Sequence, residues 1–254
     1  MQFFKDLVQA EPVYRDFPVK TSISLTNGGA MQLITTESLS YVDLQATTWI
    51  NTVGVYMGAT RTSGAGTIAL GTIDTAKILV NPFAVYLAEY DLSSTITATN
   101  FASGVVTATC EGQAGDWLLN YTSTQAAHGT LLYIASHSTT ASMTAVTTSG
   151  HPATIGTTDK WVHIHSQLKG QLGGQYQRVD LNTAGTKIKT AGSYTGKGIK
   201  VLDNHIRSQK SSSLQPLRYA SHNNTQDASY KPFAEIHFAD NVWVKQSPVG
   251  IPLS

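Results

Sequence analysis

One cysteine in 254 residues, and charged side chains at only 13% of the chain, set the first limits. Cys110 has no partner for an internal disulfide, so the fold is not a disulfide scaffold. Its place after Val105-Val106-Thr107-Ala108-Thr109 reads as that of a small buried hydrophobe, with no base set beside it by any motif. No apolar run approaches the roughly 20 residues that span a bilayer, so no membrane partner is expected. Met1-Gln2-Phe3-Phe4-Lys5-Asp6 lacks the basic segment and long apolar stretch of a cleaved export signal. Also missing are a GxSxG elbow, a phosphate-binding glycine loop, an HExxH metal motif and the strand and long-helix alternation of a doubly wound fold. Sparse charge does not here signal disorder, because hydrophobic residues reach 41% and supply a core.

What is present is Gly, Ser and Thr between short β-branched runs. Thr75 to Asn81, Phe83 to Ala88, Ile96 to Phe101, Val105 to Cys110, Trp117 to Tyr121, Leu131 to Ala135 and Met143 to Thr147 read as strands. Tyr41 to Met57 divides into two or three strands around Gly54. Phe233 to Ala239 and Val242 to Val244, joined through Asp240-Asn241, read as a terminal hairpin. The class is all-β, an antiparallel barrel or sandwich with an extended N-terminal arm. Four parts are expected: the arm over 1–20, an N-terminal β region over 21–88, a central β domain over 89–207, and a loop with the hairpin and tail over 208–254. Trp117 and Trp161 stand 44 positions apart, and each opens a strand, glycine-bearing connection and second strand, which suggests a duplication.

Net charge is +1 but uneven, minus five over 1–160 and plus six over 161–254. Lys187, Lys189, Lys197, Lys200, Arg207, Lys210 and Arg218 face only Asp203 in their segment, a solvated loop before it is a phosphate surface, so nucleic acid is not the expected partner. His163 and His165 alternate on a strand and so share a face, but two rings do not complete a metal site unless His205, His222 or His237 converges on them. Glu89 with Asp91, and Glu111 with Asp116, are the carboxylate pairs available for glycoside chemistry, without any signature that fixes their separation. Trp49, Trp117, Trp161 and Trp243 lie in strand candidates, which favours packing over a sugar platform. No catalytic, cofactor or metal residue is assigned, and an enzyme is not expected.

The first twenty residues place Phe3, Phe4, Val13, Tyr14 and Phe17 around Pro12 and Pro18. Glu11 to Lys20 reads as an arm that spans up to roughly 33 Å when extended. Its docking anchors are Val13, Tyr14 and Phe17, with Arg15 set to meet a rim carboxylate.

The Trp-led strands, Gly173-Gly174-Gln175-Tyr176-Gln177-Arg178-Val179, Ala76-Lys77-Ile78-Leu79-Val80-Asn81-Pro82-Phe83-Ala84-Val85-Tyr86 and Val201-Leu202-Asp203-Asn204-His205-Ile206-Arg207 resemble virion structural proteins of tailed bacteriophages, of the capsid cement or decoration type. That resemblance runs loosely over residues 75–207. It implies a place on the outer capsid surface, a homo-oligomer, commonly a trimer, and the major capsid protein as partner, with neighbouring shell subunits clamped and no cofactor. A tail adaptor, a fibre or a glycan-binding attachment protein is the alternative. A major capsid subunit fits poorly, since no amphipathic pattern is long enough for its spine helix.

Overall fold

Short β-branched runs leave their backbone N–H and C=O groups without a local partner, so each needs a neighbouring strand. The computed structural model describes residues 1–8, 11–35, 40–44, 52–64, 74–102, 105–109, 114–122, 131–137, 142–146, 156–165, 179–191, 199–207, 215–216 and 231–238. Among these it contains strands and no helix. In chain order the strands are β1 (Gln2–Asp6), β2 (Tyr14–Pro18), β3 (Ser24–Leu25), β4 (Ala30–Thr35), β5 (Ser40–Leu44) and β6 (Thr52–Tyr56). There follow β7 (Arg61–Thr62), β8 (Thr75–Leu79), β9 (Ala84–Glu89), β10 (Ile96–Ala102), β11 (Val105–Thr109) and β12 (Trp117–Asn120). The last are β13 (Leu131–His137), β14 (Ser142–Val146), β15 (Lys160–Ile164), β16 (Ile199–Arg207), β17 (Gln215–Pro216) and β18 (Lys231–Phe238).

The expected antiparallel all-β class is observed, but the strands are shared among several sheets and not gathered into one barrel or one sandwich. Sheet A has the order β1-β9-β18-β16-β17, and sheet B the order β2-β8-β6-β4-β5. Between β9 and β16 in sequence, β10, β11, β14, β13, β12 and β15 pair in a ring, closed where Ile96 meets Trp161 and Thr97 meets Lys160. Sheet B curls until Val19 bridges Val42, and the Lys20 ammonium reaches the Asp43 carboxylate at 2.8 Å. The two Trp-led strands expected to repeat are neighbours in the ring, running antiparallel with Asn120 opposite Trp161. Tyr176 to Arg178, in the second strand of that expected duplication, lie outside the described residues.

Three expectations are corrected by the pairing. The arm over 1–20 is not free: β1 pairs with β9 and β2 pairs with β8, so both lie in sheets of the same chain. Pro18 does not prevent this because it ends an edge strand. The terminal hairpin does not form on Phe233 to His237, because β9 occupies one edge of β18 and β16 the other. Val242 to Val244 lie outside the described residues. Finally, sheet A takes strands from all four expected parts, so that division is crossed by a continuous hydrogen-bonded ladder.

Alternation then decides what each sheet buries. Val162 and Ile164 of β15, with Leu119 and Leu131, join Tyr86, Tyr90, Ile199, Val201 and Ile236 of sheet A in one core that also takes Val55 and Leu79 of sheet B. Trp161 and His163 point the other way, into the ring, opposite Asn120 and Leu118. A second core, of Val19, Leu25, Met31, Val42, Val53, Tyr56, Ala76, Ile78 and Val80, fills the curl of sheet B. At Gly54 of β6 a Cβ would run into the carbonyl oxygen of Leu79 and the Ile78 side chain of β8. Gly54→Ala is therefore expected to lower the unfolding free energy by about 1–3 kcal/mol, a loss that chemical denaturation measures.

Candidate functional site

Edge strands that keep large apolar side chains outside the core mark contact surfaces more often than scattered hydrophobes do. Among the described residues the exposed large hydrophobics are Phe4, Leu7, Val8, Val13, Tyr14 and Tyr133. All but the last fall within eleven consecutive positions. A bulge between Phe3 and Lys5 turns Phe4 outward, while Phe3 packs edge-on against Tyr86 at 6.5 Å.

One buried side chain gathers this surface. The Asn81 amide donates to the Asp6 carboxylate at 3.2 Å and to the Glu11 carbonyl at 2.8 Å, and its oxygen accepts from the Val13 amide. Asp6 also accepts from the Val8 amide at 2.9 Å, and the Leu7 amide donates to the Phe83 carbonyl at 3.0 Å. Both N-terminal segments are thus fixed around the single turn at 81–83. Lys5 stands 5.0 Å from the centre of the Phe4 ring and also meets Glu235 at 2.9 Å. Lys77 stands 4.8 Å from the centre of the Tyr14 ring. These ammonium groups cover parts of the aromatic faces without hiding them.

Of the four anchors expected from sequence, Val13 and Tyr14 are exposed here, and Arg15 is exposed on β2 opposite Ile78. Phe17 is half-buried and packs against the second core. Phe4 was visible in sequence as an apolar residue without a receiver. Leu7, Val8, Asp6 and Asn81 were not, and the one hint was the turn propensity of Asn81-Pro82.

His163 and His165 do share a face, with ring centres 4.2 Å apart, but they are buried. His163 Nε2 lies 2.7 Å from the Asp116 carboxylate. Tyr90 at the end of β9 stacks on His165 at 6.2 Å, and its hydroxyl donates to Asn204 at 2.7 Å while accepting from the His165 amide at 3.3 Å. The Asn204 amide closes the loop on the His165 carbonyl at 2.8 Å. Burial pushes the Tyr90 phenol up, so it stays a neutral donor. Among the described residues no group of three or more His, Cys, Asp or Glu is placed to hold a metal.

Glu89 and Asp91 have separate partners. Glu89 meets Lys187 at 3.6 Å, and Asp91 accepts from Ser93 Oγ at 2.6 Å and Asn182 at 3.3 Å. Trp161 is fully buried, and Trp117 is half-buried against Tyr133 with ring centres 5.5 Å apart. A shallow pocket of about 360 Å³ opens beside Asn27, Leu87, Glu89, Lys187 and Lys231. Cys110, Trp49, Trp243, Glu111, His222, Lys197, Lys210 and Arg218 lie outside the described residues. No helix among the described residues is long and apolar enough to cross a membrane.

Comparison with family models, with characterised proteins and with solved structures gives no match. The arrangement around Asn81 has to be read on its own terms. Asn81→Ala leaves the Asp6 carboxylate, the Glu11 carbonyl and the Val13 amide each short of a partner. It is expected to cost about 1–3 kcal/mol, and native-state hydrogen exchange should show residues 4–14 losing protection before the six-stranded ring does.

Proposed function

We propose that this chain is a non-catalytic structural protein that docks across neighbouring subunits of a larger assembly, in the manner of a capsid cement protein on the outer face of a virion. The observation that carries the reading is the set of exposed apolar side chains Phe4, Leu7, Val8, Val13 and Tyr14, whose backbone Asn81 bonds at Glu11 and Val13 and beside Asp6, at the edges of two sheets. Apolar side chains fixed in advance lose little freedom on binding, which favours docking over a mobile arm that must be ordered first. Sparse charge elsewhere suits broad protein contact, since the cores of such interfaces are depleted of charged residues.

The resemblance to cement proteins supplies the remaining detail: several copies, three in the usual case, and the major capsid protein beneath them. Copies attached to one another reinforce each contact, because one docked copy raises the effective concentration of the next at the shell. No reach beyond the sheet is needed. The residues that bind are those on β1 and β2 and in the segments beside them that Asn81 and Phe83 bond.

Removing residues 1–20 is a poor test, since it strips the edges of β9 and β8 and takes Val19 out of a core. Charge placed on the surface is a better one. The double variant Leu7→Asp with Val8→Asp, and separately Tyr14→Ser, should retain the native circular dichroism and melting profile yet occupy assembled shells at least about tenfold less well, the loss typical of a buried anchor. Equal occupancy by the folded variants would move the contact elsewhere on the molecule. Failure of the native chain to bind shells at all would remove the cement reading.

A further inference from the structure

We infer that His237 is an acid-operated latch, which fastens the turn carrying Asn81 to sheet A at neutral pH and lets that turn open in acid together with the segments Asn81 holds. The inference concerns the hold on residues 6–13 and stands whether or not they dock. Its ground is a chain of hydrogen bonds. His237 Nδ1 donates to the Ala84 carbonyl at 3.1 Å, and the Ala84 amide donates to the Asn81 carbonyl at 3.2 Å. The Asn81 side chain then bonds the Asp6 carboxylate, the Glu11 carbonyl and the Val13 amide. A ring nitrogen donates to a carbonyl only while it carries hydrogen, so the proton of the neutral imidazole sits on Nδ1, and Nε2 is the atom left to take up another.

Charge around the imidazole decides how it responds to that second proton. His237 is buried on the middle strand of sheet A, opposite Val85 of β9 and Lys200 of β16. Val85 in turn stands opposite Lys5 of β1. Residues directly opposite share a face, so the row runs Lys5, Val85, His237, Lys200, and an imidazolium would stand in it as a third cation. On β18 itself the charged neighbour on this face is Glu235, which Lys5 meets at 2.9 Å. Asp6 of β1 is the carboxylate that favours the charged imidazole, and it already accepts from Asn81 at 3.2 Å and from the Val8 amide at 2.9 Å. Burial is the largest influence and lowers the pKa of His237; the Lys200 charge acts with it, while the Ala84 bond and Asp6 oppose it.

The sign follows by linkage. An exposed imidazole takes up its proton near the ordinary value of about 6.5. In the closed latch His237 takes that proton up only at lower pH, so the open form binds more protons as the medium turns acid. Stability of the latch is fully present above the ordinary value and is lost as the pH falls below it. Where the structure opens follows from the strand order. Among the described residues β1 has one neighbour, β9, whereas β18 lies between two. Wetting the imidazole from the side of β1 and the 81–84 turn breaks fewer ladder bonds than drawing β18 out of the sheet. The second core, inside sheet B, holds no histidine and is expected to stay closed.

The test compares the native chain with His237→Asn, whose amide nitrogen stands about where Nδ1 does and keeps a donor for the Ala84 carbonyl, but takes up no proton. The other histidines and the carboxylates are common to both proteins and drop out of the comparison. Hydrogen exchange, corrected for intrinsic rates, is followed residue by residue between about pH 7.5 and about pH 5, the span over which histidine changes charge. The amides that the latch secures are those of Leu7, Val8, Val13 and Ala84. In the native chain they should lose roughly five- to thirtyfold in protection, the range open to a group that titrates near 6.5 when exposed and lower when buried. In His237→Asn the loss should be about twofold at most, and the Met57 amide of the sheet B ladder, bonded to the Lys77 carbonyl, should keep its protection in both. A native loss no more than about twofold greater than that of the variant overturns the inference. Should His237→Asn fail to fold, ring-nitrogen magnetic resonance of the native chain decides. His237 must titrate below the ordinary imidazole value and in step with the Leu7, Val8 and Val13 signals; titration at or above that value, or with those signals unmoved, overturns it.

Discussion

Strand β9 is used on every side, and the rest of the structure hangs on it. One edge takes β1 and the other takes β18. Its side chains feed the large core through Tyr86 and Ala88, the carbonyl of its first residue receives His237, and the residue after its end, Tyr90, grips the ring. The turn that leads into it presents Asn81 to the N-terminal segments. A six-residue strand thus ties the exposed N-terminal apolar residues, both neighbouring ladders and the buried histidine pair to one backbone.

Legibility in the sequence followed the range of the interaction. From Thr75 to Ile164 the strands were readable almost residue by residue, because β-branched alternation is a local signal and the Gly and Asn connections punctuate it. The same alternation placed His163 and His165 on one face. Their partners Asp116 and Tyr90 were out of reach, since they stand 47 and 75 positions from the residues they bond. A hairpin was the natural local reading for Phe233 to His237, but both edges of β18 there are filled by strands far away in sequence.

The first twenty residues show a subtler failure. Exposed aromatic and aliphatic side chains around two prolines read as an arm because nothing local receives them. In the fold they are edge strands, a place where proline is tolerated and where one side chain in two remains outside. Phe4, Val13 and Tyr14 are exposed as read, and their support was misjudged. Phe17 separates the two ideas: its neighbour on β2, Tyr14, stays exposed, while Phe17 itself turns inward to the second core.

The strand order of sheet A has a consequence for how the chain is made. β18 is the last described strand in sequence, yet it sits in the middle of the sheet, between β9 and β16. While the polypeptide grows, β9 and β16 are both synthesised before the strand that joins them, and each waits with an unpaired edge. Pairings this distant close slowly, because the loop entropy is lost before the contacts form. Until residue 238 has emerged, the large core is open at its centre and the nascent chain presents two ready templates for intermolecular pairing. Sheet B, whose strands all lie within residues 14–79, carries no such delay and can be finished on the ribosome. Biogenesis is therefore split in time: an early N-terminal module, and a late closure for which a chaperone or a low local concentration of growing chains matters most.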